Sequence, residues 1–215
     1  MHLKRQRTPS KWPTQRKGTK FVVRPASDFK NGIPILVVLR DLLKIAQNKK
    51  EVKRALHLGE VLINQKKARD VKERVVLLDK ITLTPFKQNY RVTLSDKGKF
   101  ALEEIKENEA HFKLSKVTNK KIIKGKKMQI NLLDGMNFIS DIKCKVNDSV
   151  KVDLISRKII ECLPLQEKVR VMVFAGKHAG KTGTVSKLDR EKKIVELETG
   201  KNKVNVLIKQ LMVAE

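Results

Sequence analysis

Apolar positions along this chain follow two rhythms. Between Pro34 and Gly59 they recur at helical spacing, and beyond Val75 they come in short strand-length runs broken by turn clusters. Ile35, Leu36, Leu39, Leu42, Leu43 and Ala46 follow Pro34, a residue suited to a first helical turn, and predict a helix over 35–46. Asn48, with Glu51 three residues on, predicts the N-cap of a second helix, Lys49–Leu58, which Gly59 stops. A short strand at Val61–Ile63 and a cationic turn (Lys66, Lys67, Arg69) complete this helix-rich stretch.

Strands are then predicted over 75–78, 80–83, 90–94 and 100–102, with a helical turn in the acidic interval 103–109. Further strands at 112–123, 128–133, 137–142, 150–154 and 158–163 build a compact β region, with Asp134-Gly135 as a hairpin turn. Four short strands at 169–174, 184–188, 194–197 and 204–208 have the even spacing of a small closed barrel. Residues 1–34 differ from all of this. Pro9, Pro13, Pro25 and Pro34 interrupt helix, and the segment is expected to be an irregular extension. Trp12 within it either pins the extension to a core, the favoured reading, or stacks on a partner. The pattern therefore predicts an α+β multidomain chain divided at 1–34, 35–85, 86–165 and 166–215.

Charge decides what such a chain meets. Its 215 residues hold 49 Lys and Arg against 23 Asp and Glu, a net charge of +26. The excess is +8 over 1–35, +6 over 36–85, +7 over 86–165 and +5 over 166–215, so every segment is basic. Such a chain repels itself unless a polyanion neutralises it, and RNA repays that with salt-sensitive counterion release. No stretch approaches the roughly 20 apolar residues of a spanning helix, and MHLKRQRTPSKW has no apolar core for a secretory signal. Cys144 and Cys162 are too far apart in sequence for a Cys-x-x-Cys pair, and His2, His57, His111 and His178 are scattered. No metal, cofactor, catalytic residue, membrane or small-molecule substrate is expected, and a reducing cytoplasmic setting fits.

The most informative stretch is residues 169–185, VRVMVFAGKHAGKTGTV. An alternating strand enters a glycine-rich loop that presents Lys177, His178 and Lys181, and a second strand follows. AGKHAGKT also satisfies a loose phosphate-binding pattern of NTPases. That pattern needs a helix after the lysine, whereas Gly183, Thr184 and Val185 favour a strand. Aromatic residues are only 4% of the chain, too few for the stacking platforms of a single-strand reader. Contacts to RNA backbone and folded shape are expected instead.

The candidate contacts are cationic. In the extension they are Lys4, Arg5, Arg7, Lys11, Arg16 and Lys17. On the second helix they are Lys49, Lys50, Lys53, Arg54 and His57, with Lys66 and Lys67 on the adjoining turn. Lys124 and Lys126 belong to a basic knot around Gly125, which is either a solvated hairpin tip or an RNA contact.

The order of these parts resembles the archaeal and eukaryotic small-subunit ribosomal protein S-four-e family. HLKRQRTPSKWPTQRK is similar to its basic leader, and IPILVVLRDLLKIAQNKKEVKRALHLGEVLINQKKARD to its S-four-type RNA-binding domain. AHFKLSKVTNKKIIKGKKMQINLLDGMN resembles its central β domain, including the Leu-x-Asp-Gly turn at Leu132 to Gly135, and 169–185 resembles a KOW motif. The resemblance implies four parts: a basic extension, an S-four-type α/β-hairpin domain, a small β domain and a KOW SH3-like barrel. It also implies a non-catalytic constituent of the small ribosomal subunit, located in the cytoplasm, whose partners are small-subunit rRNA and neighbouring ribosomal proteins. By motif it carries over Lys49, Lys50, Lys53, Arg54, Lys177, His178 and Lys181. Asn64-Gln65 stands where S-four-type domains commonly turn on Asn/Asp-Gly, and the short C-terminal part favours an archaeal-type member.

Two rivals are weighed beside it. S-four-type domains also occur in pseudouridine synthases, whose catalytic Asp lies in a context resembling Arg-Leu-Asp. Here only Leu188-Asp189-Arg190 comes near, in an expected turn. A KOW barrel also suits a transcription or translation accessory factor.

Overall fold

The computed structural model describes residues 2–123, 125, 127–200 and 202–214. The fold is mostly β with few helices. It divides into two compact units, Met1–Ser95 with Lys99–His111, and Asp96–Gly98 with Phe112–Glu215.

In the first unit the sheet order is Lys66–Lys67, Val61–Ile63, Lys80–Leu83, Gln88–Leu94, Phe100–Ile105, with every pair antiparallel. The sheet runs across residue 85, because Lys80–Leu83 and Gln88–Leu94 pair directly. The last strand takes in Glu103 and Glu104, which the sequence assigned to a helical turn. Arg91 draws Glu103 across the ladder at 2.8 Å, and the helix is confined to Glu107–Ala110.

The first predicted helix also differs. Only Ile35–Val37 is α-helical, and Val38–Leu42 widens into a π turn, with the Leu43 N–H donating to the Val38 carbonyl at 2.9 Å. Residues 35–39 are all buried, so the segment is packed all round and is not the one-sided helix its stripe suggested. Just before it, Gly32–Pro34 pairs with Arg74–Val76, a long-range ladder that no local pattern announces. Gly32 permits this approach: a Cβ there would lie 2.3 Å from Arg74 Cγ.

The extension is built, not loose. Leu3–Lys4 pairs with Phe21–Val22. The Phe100 N–H donates to the Lys11 carbonyl at 2.8 Å, and Trp12 is 2% exposed with its ring edge-on to Phe29. Of the two readings of Trp12, pinning is the one observed.

The second unit stacks its apolar residues into two cores, one per sheet. The first sheet runs Asn137–Ile139, Met128–Leu132, Phe112–Ile122, Ser149–Asp153, Lys158–Leu163 around Val117, Ile130, Val150 and Val152. The second runs Asn202–Leu207, Ile194–Thr199, Thr182–Asp189, Arg170–Val173, Leu211–Val213 around Val171, Val195, Leu197 and Leu211. The final strand, Leu211–Val213, was not predicted; it covers the edge of Arg170–Val173. Lys116 ties the sheets together, donating to the carbonyls of Ile208 (2.5 Å) and Leu211 (2.9 Å). Ser149 Oγ accepts the Val213 N–H at 2.9 Å beside it.

Candidate nucleic-acid interface

The second helix is fixed at both ends by the residues that predict it. Asn48 Oδ1 accepts the N–H groups of Lys50 and Glu51 at 2.9 and 3.1 Å, and Glu51 reaches back to the Gln47 N–H at 2.7 Å. Gly59 is left-handed (φ 73°), and the N–H groups of Gly59 and Glu60 close a Schellman motif onto Leu56 and Ala55. Val52 and Leu56 are buried, which turns Lys49, Lys50, Lys53, Arg54 and His57 outward; all five are exposed.

The adjoining hairpin keeps a two-residue turn without glycine. Leu62 faces Lys67 and Ile63 faces Lys66, while Asn64 (φ 50°) and Gln65 (φ 63°) both take left-handed angles, as a type I′ turn requires. Asn64 offsets that strain: its Nδ2 donates to Asp79 at 2.8 Å, and its Oδ1 accepts the Lys80 N–H at 3.0 Å. The substitution for Asn-Gly therefore leaves the hairpin geometry intact. Lys66 and Lys67 are exposed, and a Cβ at Gly59 would come within 3.4 Å of Lys67 Nζ. Helix end and hairpin thus present their cations as one surface.

In the second unit, residues 174–181 form a closed loop between Arg170–Val173 and Thr182–Asp189. Val173, at its start, closes it by bonding twice to its far end, its N–H to the Lys181 carbonyl at 2.9 Å and its carbonyl to the Gly180 N–H at 2.8 Å. Gly176 (φ 87°) packs so close that a Cβ would meet Gln210 Oε1 at 2.6 Å. Lys177 and Lys181 are exposed and His178 is half-buried. A strand, not a helix, follows Lys181, so no helix N-terminus faces the loop and the NTPase pattern has no phosphate cradle.

The extension divides its cations. Lys4, Arg7, Arg16 and Lys17 are exposed. Arg5 is turned inward, its guanidinium donating to the carbonyls of Thr19 and Gln15, both at 2.7 Å, and to Thr19 Oγ1 at 2.9 Å. Lys11 is half-buried, and desolvation lowers its pKa. Lys124 and Lys126 lie outside the described residues.

Two features escaped sequence reasoning. Lys113 and Lys116 are cations of the core, not of the surface. A cavity of about 520 Å³ in the second unit is rimmed by Lys145, Arg190, Lys192, Lys193 and Lys209. The sequence signal was the run 189–192, expected as a turn; Lys145 joins it from the preceding sheet's part of the chain.

Among the described residues no group of three or more His, Cys, Asp or Glu is placed to hold a metal. Asp189 closes its own turn by accepting the Lys192 N–H at 3.0 Å. Cys144 and Cys162 are free thiols; burial first, then Cys144 and Asp148 beside it, push the Cys162 thiol up to about 12, far from a reactive thiolate. No helix among the described residues is long and apolar enough to cross a membrane.

Comparison with known proteins agrees with this arrangement. The model of "Ribosomal family S4e" matches residues 86–159, and that of the "KOW motif" matches residues 170–198. The "Small ribosomal subunit protein eS4" of Methanothermobacter thermautotrophicus is 33% identical over 215 residues, covering 97% of this chain and 89% of that protein. Its namesake in Methanocella arvoryzae is 39% identical over 190 residues, covering 87% and 80%. The crystal structure of "30S ribosomal protein S4e" from Thermoplasma acidophilum superposes with a TM-score of 0.74 at 29% identity, over 86% of this chain and 95% of that one. With a third of its residues shared along nearly the whole of an archaeal relative, the chain belongs to the ribosomal family S4e.

Proposed function

We propose that the chain is a structural constituent of the small ribosomal subunit, which binds and stabilises folded rRNA through phosphate-backbone and shape contacts. The family is one of ribosomal structural proteins and is not enzymatic. The observation that carries the rRNA reading is the outward presentation of cations on rigid, capped elements: Lys49, Lys50, Lys53, Arg54 and His57 with Lys66 and Lys67 in one unit, and Lys177 and Lys181 in the other. Such contacts fix register and orientation on a folded polyanion. Lys4, Arg7, Arg16 and Lys17 add to them, while Arg5 and Lys11 serve mainly to hold the extension that carries the others.

In this reading the four sequence parts are four RNA-facing pieces: the extension 1–34, an S-four-type domain 35–85, a central β domain 86–165, and an SH3-like KOW barrel 166–215. Neighbouring ribosomal proteins are the other partners, and the cytoplasmic ribosome is the location. Sedimentation tests the proposal. The tagged chain should remain with small ribosomal particles through a high-salt wash. Release into the supernatant would favour an accessory factor that docks and leaves.

A further inference from the structure

We infer that the cavity of the second unit takes one unstacked nucleotide of the RNA, holding its base on an aliphatic floor and its flanking phosphates on a cationic rim. The inference rests on the rRNA reading above and adds to it a contact with a base, beyond backbone and shape.

The floor is Leu165, Leu188, Leu207 and Ile208. Leu207 is 38% exposed on a strand whose alternate positions on the same side are Lys203 and Asn205, and it lines the cavity. A volume of about 520 Å³ is in the range of clefts that enclose a small organic molecule. A base has an apolar face and a polar edge, so it can cover leucines and still need a hydrogen-bonding group. Asn147 is the single uncharged polar residue of the lining, and its amide supplies both a donor and an acceptor for such an edge.

The rim decides the class of ligand. Lys145, Arg190, Lys192, Lys193 and Lys209 surround the mouth, and among the described residues none of the five is ion-paired. The one acid in the lining, Asp148, is 7% exposed, and both its oxygens are engaged by backbone N–H groups, Leu165 at 3.1 Å and Lys145 at 2.7 Å. The mouth is therefore strongly positive around an apolar centre. An extruded nucleotide carries a phosphate on each side of its base, which matches this layout. Sequence-selective contacts to RNA favour such unstacked bases, because the deep, narrow major groove of an A-form helix cannot be read by side chains.

The experiment uses the full chain and deproteinised small-subunit rRNA. Leu207→Gln removes apolar floor without changing charge, at a partly exposed edge-strand position that tolerates it. It should weaken binding about five- to tenfold, the effect of losing roughly 1 kcal/mol of apolar contact, and leave the salt slope unchanged. Lys192→Ala with Lys193→Ala should instead flatten that slope by about one or two units. A benzophenone amino acid at position 207, in assembled small subunits, should crosslink to one unpaired nucleotide. Normal affinity of Leu207→Gln, or a crosslink to paired RNA or to a neighbouring protein, overturns the pocket while rRNA binding by the wild-type chain stands. Absence of wild-type binding overturns the rRNA reading itself, and the pocket with it.

Discussion

Lys113 and Asp134 form an ion pair inside the second unit, Nζ to Oδ2 2.6 Å, with side chains 1% and 5% exposed. Asp134 belongs to the Leu-x-Asp-Gly turn, and its other oxygen accepts the Met136 N–H at 2.9 Å. One carboxylate thus shapes the hairpin turn and neutralises a lysine of the neighbouring strand. Removing it takes the carboxylate away from a buried ammonium, which costs more than the pair contributes. Asp134→Ala should destabilise the protein by about 3–5 kcal/mol, read by urea unfolding. Replacing both partners with apolar residues should recover much of that loss.

Lys116 makes stability depend on pH. Burial lowers its pKa from 10.5 to about 8 in the folded state. Below about 8 both states hold the proton and its contribution is constant. Between about 8 and 10.5 the unfolded chain binds more protons, so stability rises with pH across that window. Thermal unfolding from pH 7 to 10 should show the rise. Lys116→Met should abolish this part of it and, by removing the ammonium donor of the Ile208 and Leu211 carbonyls, cost about 1–3 kcal/mol at neutral pH.

The glycine-free hairpin turn should be open to improvement. Gln65 holds φ 63° with only a 3.4 Å contact from its Nε2 to the Ala110 carbonyl. Gln65→Gly should stabilise by roughly 0.5–1 kcal/mol and leave rRNA affinity alone. Asn64→Ala should instead destabilise, because Asp79 Oδ1 loses the Asn64 amide donor and the Lys80 N–H loses the Asn64 acceptor.

Where local chemistry dictates structure, the chain was legible. Asn48, Glu51 and Gly59 delimit the helix Lys49–Leu58 to the residue, and the short apolar and β-branched runs Val61–Ile63, Lys80–Leu83 and Lys158–Leu163 are strands with the predicted bounds. Distant pairing was not legible. Gly32–Pro34 becomes a strand only because Arg74–Val76 lies beside it, and Leu211–Val213 only because Arg170–Val173 does. The candidate site follows the same division. Helical spacing exposed the cations of 49–57, but nothing in a run of lysines tells that Lys113 and Lys116 turn inward, or that Lys145 meets residues 190–193 around one cavity.

The KOW loop offers a local test of RNA contact. Lys177→Ala with Lys181→Ala leaves the loop's backbone bonds and glycines in place, so the fold should persist. Affinity for small-subunit rRNA should fall, and the slope of log K against log[salt] should flatten by roughly one to two units if each lysine neutralises a phosphate.

The central claim is that surface cations held on both units neutralise rRNA phosphates. The most direct measurement is the salt dependence of binding between the intact chain and deproteinised small-subunit rRNA. We predict a steep linear fall of log K with log[salt], with a slope of about −5 or steeper, since each phosphate met contributes roughly 0.7 to 0.9. Binding that is insensitive to salt, or no binding at low ionic strength, would contradict it.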